Sequence, residues 1–162
     1  MKNLLLLVAL ISPSLIQSAS AATTPISKLI IKPMGLKPYK HDGHESKCII
    51  LSVQNIGTKT VTFPVVNSKN SLVPNPYYTY EIKAKGQKSW VPFNQNAGSF
   101  LYPKVFNSVR PQKTSSICVQ YTSWPKDSAA LKSNSLIRLQ IRDMAGQSHA
   151  TESFYSTGLL KD

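Results

Sequence analysis

The sequence predicts an all-β protein, a single sandwich of about eight short strands. Three observations carry that expectation. Apolar and polar residues alternate with a period of two in short runs. Gly, Pro and Asn punctuate the chain between those runs. No segment has the apolar spacing of a convincing amphipathic helix.

The chain opens on a different pattern. Met1, Lys2 and Asn3 carry one positive charge, and Leu4–Ile11 is an unbroken apolar run. Ala19, Ser20 and Ala21 then supply small residues at the spacing a signal peptidase reads. The order is that of a secretory leader, with an apolar run too short to span a bilayer. Residues 1–21 are therefore expected to be a signal peptide, and residues 22–162 one mature domain in the periplasm or outside the cell. No Cys stands at the cleavage site, so a lipid anchor is not indicated.

Within the mature chain, Ile26–Lys32 is predicted as the first strand and Pro33–Ser46, with its prolines and lysines, as a loop. Lys47–Gln54 is the next strand. The turn at Asn55–Lys59 leads to Thr60–Val65, where Val61, Phe63 and Val65 alternate; the two strands read as a hairpin. Asn67–Pro76 has a loop composition. Tyr77–Ala84 alternates Tyr78, Tyr80 and Ile82 against Thr79, Glu81 and Lys83. Lys85–Lys88 turns the chain into Ser89–Phe93, and Asn94–Pro103 is a loop. Val105–Val109 and Ser115–Thr122 are strands, and Ser123–Asn134 is a connection with one helical turn at Asp127–Lys132. Leu136–Arg142 sends Ile137, Leu139 and Ile141 inward and Arg138, Gln140 and Arg142 outward. The turn at Asp143–Gly146 leads to a last strand near His149–Tyr155.

Two cysteines, Cys48 and Cys118, sit on the more polar face of their strands. Cys48 shares its face with Ser52 and Gln54, and Cys118 with Ser116 and Gln120, whereas buried free thiols favour apolar faces. A bridge between two strands of one sheet is expected in an oxidising compartment.

The run Cys48–Thr62 (CIILSVQNIGTKTVT) resembles the second strand and turn of immunoglobulin-like domains. Val53, Asn55, Gly57 and Val61 fit a phrase frequent in bacterial exported domains of that kind. Ile137–Gly146 resembles their last hairpin. The resemblance implies an architecture only, because a sandwich hosts many functions. A tryptophan about a dozen residues after the first cysteine and a tyrosine two before the second, both marks of antibody domains, are missing.

Charge narrows the function. Nineteen lysines and arginines stand against seven acids, a net charge of +12, which loss of Lys2 with the leader lowers to +11. Such a chain favours anionic partners. Only three of the cations are arginines, and export argues against an intracellular nucleic-acid partner. No G-x-S-x-G, H-E-x-x-H or phosphate-binding glycine loop occurs, so neither an enzyme nor a cofactor is expected. The leading expectation is an exported binding module for an acidic protein or an anionic envelope component, of inhibitor, immunity, adhesion or assembly type. Its candidate residues are Lys28, Lys32, Lys83, Lys85, Arg138 and Arg142, with Tyr77, Phe100 and Tyr102 as stacking or docking aromatics. Two alternatives stand beside it. One is a periplasmic metal-handling protein using His41 and His44 in the loop before Cys48. The other is a structural subunit of a surface fibre, although Phe154–Asp162 lacks the penultimate tyrosine of chaperone-assembled subunits.

Overall fold

The computed structural model describes residues 28–41, 44–66, 71–93, 105–121 and 135–155, with His41 and His44 placed by backbone alone. The expected leader, Phe100, Tyr102 and the helical turn expected at 127–132 lie outside these residues.

All the regular structure described is β. The strands are β1 (Leu29–His41), β2 (His44–Asn55), β3 (Val61–Val65), β4 (Leu72–Val73), β5 (Tyr78–Lys83), β6 (Val91–Phe93), β7 (Val105–Val109), β8 (Thr114–Tyr121), β9 (Leu136–Arg142), β10 (Ser148–Ala150) and β11 (Phe154–Tyr155). One sheet runs β1-β2-β8-β4, and the second runs β10-β9-β5-β6 with β11 also on β9. A two-stranded ribbon, β3-β7, completes the sandwich.

Alternation explains the core. Ile31, Ile49, Leu51, Val53, Ile117 and Val119 point inward from the first sheet, and Tyr80, Ile82, Ile137, Leu139 and Ile141 from the second. Val61, Phe63, Val65 and Val109 of the ribbon join the same cluster. The hydroxyl of Tyr80 crosses between the sheets and donates to the Gln120 carbonyl at 2.8 Å. At the sheet margin, the Glu152 amide donates to the Ile31 carbonyl at 2.8 Å, tying the chain after β10 to β1.

Three expectations need correction. The segment Pro33–Ser46 is not a loop: β1 and β2 form one long hairpin that reaches His41 opposite His44. Its register shifts between Pro33 and Gly35, and this bulge keeps Leu36 opposite Ile49 on the core face. Gly35 takes φ +139°, a conformation that glycine accepts at no steric cost. Prolines survive here because β1 lies at the edge of its sheet.

Second, β3 does not pair with β2. It pairs with β7, while β2 lies between β1 and β8. The physical reason is Asn55, which is fully buried. Its Nδ2 donates to the carbonyls of Lys59 and Val109, each at 2.8 Å, and its Oδ1 accepts from the Gly57 amide at 3.0 Å. The Asn55 amide donates to Lys113 and its carbonyl accepts from Gln112. The side chain thus closes the turn after β2 on itself and fastens it to the end of β7, and the backbone of the same residue fastens it to the chain between β7 and β8.

Third, the last strand is split into β10 and β11. Thr151 sits between them, its amide donating to the Leu139 carbonyl and its Oγ1 accepting from the Leu139 amide. The two-residue β4, inside the expected loop Asn67–Pro76, pairs parallel with β8.

The cysteines are bridged, with Cα atoms 5.8 Å apart. Cys48 lies opposite Gln120 and Cys118 opposite Ile50, so the bond runs diagonally between neighbouring strands of one sheet. It lies on the face away from the main core, in a second small cluster with Tyr39, Val66 and Leu72. No helix among the described residues is long and apolar enough to cross a membrane.

Candidate functional site

The outer face of the second sheet gathers charge and an aromatic ring. With Tyr80 and Ile82 inward, β5 turns Glu81 and Lys83 outward. On the neighbouring strand, Ile137, Leu139 and Ile141 send Arg138, Gln140 and Arg142 to the same side. The register sets Glu81 directly opposite Arg138 and Thr79 opposite Gln140. Glu81 Oε2 therefore accepts from Arg138 Nε at 2.6 Å and from Gln140 Nε2 at 3.1 Å.

The β5–β6 hairpin brings Trp90 over this pair. Gly86 turns the chain with φ +85°, and the Gln87 amide donates to the Ala84 carbonyl at 3.0 Å. Val91 then lies opposite Ile82, and Trp90, one residue earlier, covers the outward side chains. The Arg138 guanidinium is 4.3 Å from the Trp90 ring centroid and the Lys83 ammonium 6.0 Å. Cations at this range are attracted by the ring's negative face. Lys85 and Lys88 are exposed in the turn, and Arg142 is exposed at the end of β9.

The carboxylates are spent. Among the described residues, Glu45 pairs with Lys40, Glu81 with Arg138, Asp143 with His149 and Glu152 with Lys32. The Lys32 and Lys40 pairs are more than half exposed and contribute little. The Arg138–Glu81 pair is better sheltered, at 26% and 15% side-chain exposure. Lys83, Lys85, Lys88 and Arg142 have no carboxylate partner among the described residues.

The structure thus brings Lys83, Lys85 and Arg138 to one end of a face that Arg142 extends. Lys28 and Lys32 belong to the other sheet, exposed before and within β1. Tyr77 does not face outward as its parity suggests; it is half-buried and packs on the core. Sequence reasoning did not bring Glu81, Gln140 and Trp90 together with Arg138. The outward parity of Glu81 was a visible signal, but its partner depends on the β5–β9 register. The backbones of His41 and His44 face each other across the hairpin end, while their side chains lie outside the described residues. Among the described residues no group of three or more His, Cys, Asp and Glu side chains could hold a metal ion.

A concavity of about 240 Å³ lies over the disulfide, lined by Lys37, Tyr39, Cys48, Ile50, Ser71, Ser116, Ile117 and Cys118. Burial pushes the Tyr39 hydroxyl above its ordinary pKa, and a hydrogen bond with Ser46 partly offsets this. Asp143 and His149 form a buried pair at 3.0 Å, and the other Asp143 oxygen accepts from the Gln147 amide at 2.9 Å. That arrangement holds the β9–β10 turn, which the Met144 amide ties to the Thr62 carbonyl of β3.

Compared with known protein families and with curated proteins, the chain finds no match.

Proposed function

We propose that the mature chain is an exported binding module that docks an acidic protein through the outer face of β5, β6 and β9. One observation carries the reading. Each carboxylate among the described residues has a basic partner, yet Lys83, Lys85 and Lys88 have no carboxylate partner there at the end of the face that holds the half-buried Trp90, and Arg142, likewise without one, extends that face. A face that keeps surplus positive charge next to an indole suits a partner that offers carboxylates and some apolar surface. Export is part of the proposal. It rests on the leader-like residues 1–21 and on the Cys48–Cys118 bridge, which persists in oxidising compartments.

The test is capture of partners from envelope extracts by the mature protein and by a Lys85→Glu, Arg142→Glu variant, at two salt concentrations. Retention is expected to fall between ~0.1 M and ~1 M salt, as the screening length drops from about 10 Å to about 3 Å. The variant is expected to fold and to lose the same partner, because surface charge changes alter stability by about 0.5 kcal/mol or less. A partner held equally by both proteins at both salt concentrations would contradict the proposal.

A further inference from the structure

Within that face the cations are not equivalent. Lys85, Lys88 and Arg142 are exposed charges on flexible stems. Arg138 is held on two sides. Its Nε donates to Glu81, its guanidinium stacks on Trp90, and Glu81 is itself fixed by Gln140. Its side chain nevertheless keeps 26% of its surface exposed. Among the described residues, the Nη groups have no hydrogen-bond acceptor.

We infer that Arg138 is the specificity-determining residue of the acidic-partner site, and that its Nη edge, which has no acceptor among the described residues, receives a carboxylate side chain of that partner. The inference rests on the binding reading above. Four physical arguments support it. A guanidinium already fixed by stacking and by an ion pair loses little side-chain entropy when a ligand arrives. Its planar edge matches a carboxylate with two parallel donors, which a lysine ammonium does not reproduce. Glu81 lowers the local positive charge, which suits a singly charged carboxylate over a doubly charged phosphate. The indole of Trp90 offers apolar surface to the methylenes that carry the carboxylate. Glu81, Gln140 and Trp90 are positioning residues that act through Arg138.

The experiment measures binding of a poly-L-glutamate peptide and of inorganic polyphosphate to the disulfide-bonded mature protein. Wild type is compared with Arg138→Lys and with Arg110→Lys, an exposed arginine that follows β7 and is not part of this face; both substitutions conserve charge. Arg138→Lys is expected to weaken glutamate-peptide binding by roughly tenfold, the loss of one charge-assisted fork, and polyphosphate binding by less than about twofold. Arg110→Lys is expected to change either by less than about twofold, as for a charge outside the site. Thermal unfolding checks that each variant is folded. Trp90→Leu gives a second route: it conserves every charge, releases the guanidinium, and is expected to weaken the peptide several-fold while sparing polyphosphate. Equal effects of the two arginine variants on the peptide would overturn the inference. So would an equal or larger loss of polyphosphate with Arg138→Lys, or an Arg138→Lys variant that misfolds together with a Trp90→Leu variant that binds normally. If the inference fails while the Lys85→Glu, Arg142→Glu variant still loses its partner from extracts, the broader reading survives without it.

Discussion

Replacing Asn55 by alanine removes one side chain that makes three hydrogen bonds from a fully buried position. Each such bond contributes about 1 kcal/mol net, so the loss starts at about 3 kcal/mol. It grows if the Lys59 and Val109 carbonyls, which lose their donor, cannot reach water. The substitution also releases the turn after β2 from the end of β7, while the backbone bonds of residue 55 with Gln112 and Lys113 remain, so the ribbon loses one side-chain anchor. For a domain of this size about 3 kcal/mol corresponds to a melting temperature lower by about 10 °C. Asn55→Asp tests the geometry separately. It keeps an acceptor for the Gly57 amide but sets a carboxylate against two carbonyls, and is expected to be at least as destabilising. The assay is denaturant unfolding, in which the midpoint falls while the slope stays constant. A loss below about 1 kcal/mol for Asn55→Ala would refute the reasoning, because three buried bonds cannot vanish so cheaply.

Alkaline stability follows from the tyrosines. Burial, helped by the neighbouring Tyr39, pushes Tyr78 up to about 12, and burial with Tyr78 and Tyr121 raises Tyr80 well above its ordinary value. Unfolded tyrosines ionise near pH ~10, so above that pH the folded state binds more protons and its stability falls by up to about 1.4 kcal/mol per pH unit for each tyrosine. Tyrosinate absorbance is expected to rise together with the loss of β-sheet circular dichroism; a separate earlier rise for these two residues would contradict it. The paired substitution Cys48→Ala, Cys118→Ala opens a loop of 70 residues and is expected to cost about 4 kcal/mol, read as a lower denaturation midpoint. A loss under about 1 kcal/mol would contradict that. Amino-terminal sequencing of the exported protein is expected to begin at Ala22 or Thr23, and an intact Met1 would defeat the leader reading.

What the sequence revealed and what it concealed differ by physical range. Alternation is local, so the inner faces of β2, β5, β8 and β9 were legible, and β9 falls on Leu136–Arg142 as expected. The polar parity of Cys48 and Cys118 placed both on the face that bears the bridge. Prolines concealed the length of β1, because Pro33 and Pro38 read as breakers unless the strand is known to lie at an edge. The pairing of β3 was hidden in Asn55, whose side chain reaches Val109, 54 positions along the chain. The candidate site was half visible. Outward parity picked out Lys83, Arg138 and Arg142, but the Arg138–Glu81 contact joins residues 57 positions apart and exists only through register. Once that register is known, Arg138 stops being one of many surface charges and becomes the one held in place by its neighbours.

The measurement that tests the account most directly is a two-dimensional amide NMR titration of the disulfide-bonded mature protein with a poly-L-glutamate peptide. The account predicts that shift changes concentrate on the outward residues of β5 and β9, on the Lys85–Trp90 turn and on the Trp90 and Arg138 side chains, and that they fade with added salt. Changes spread evenly over the lysines of both sheets, or centred on the concavity beside Cys48 and Cys118, would contradict it.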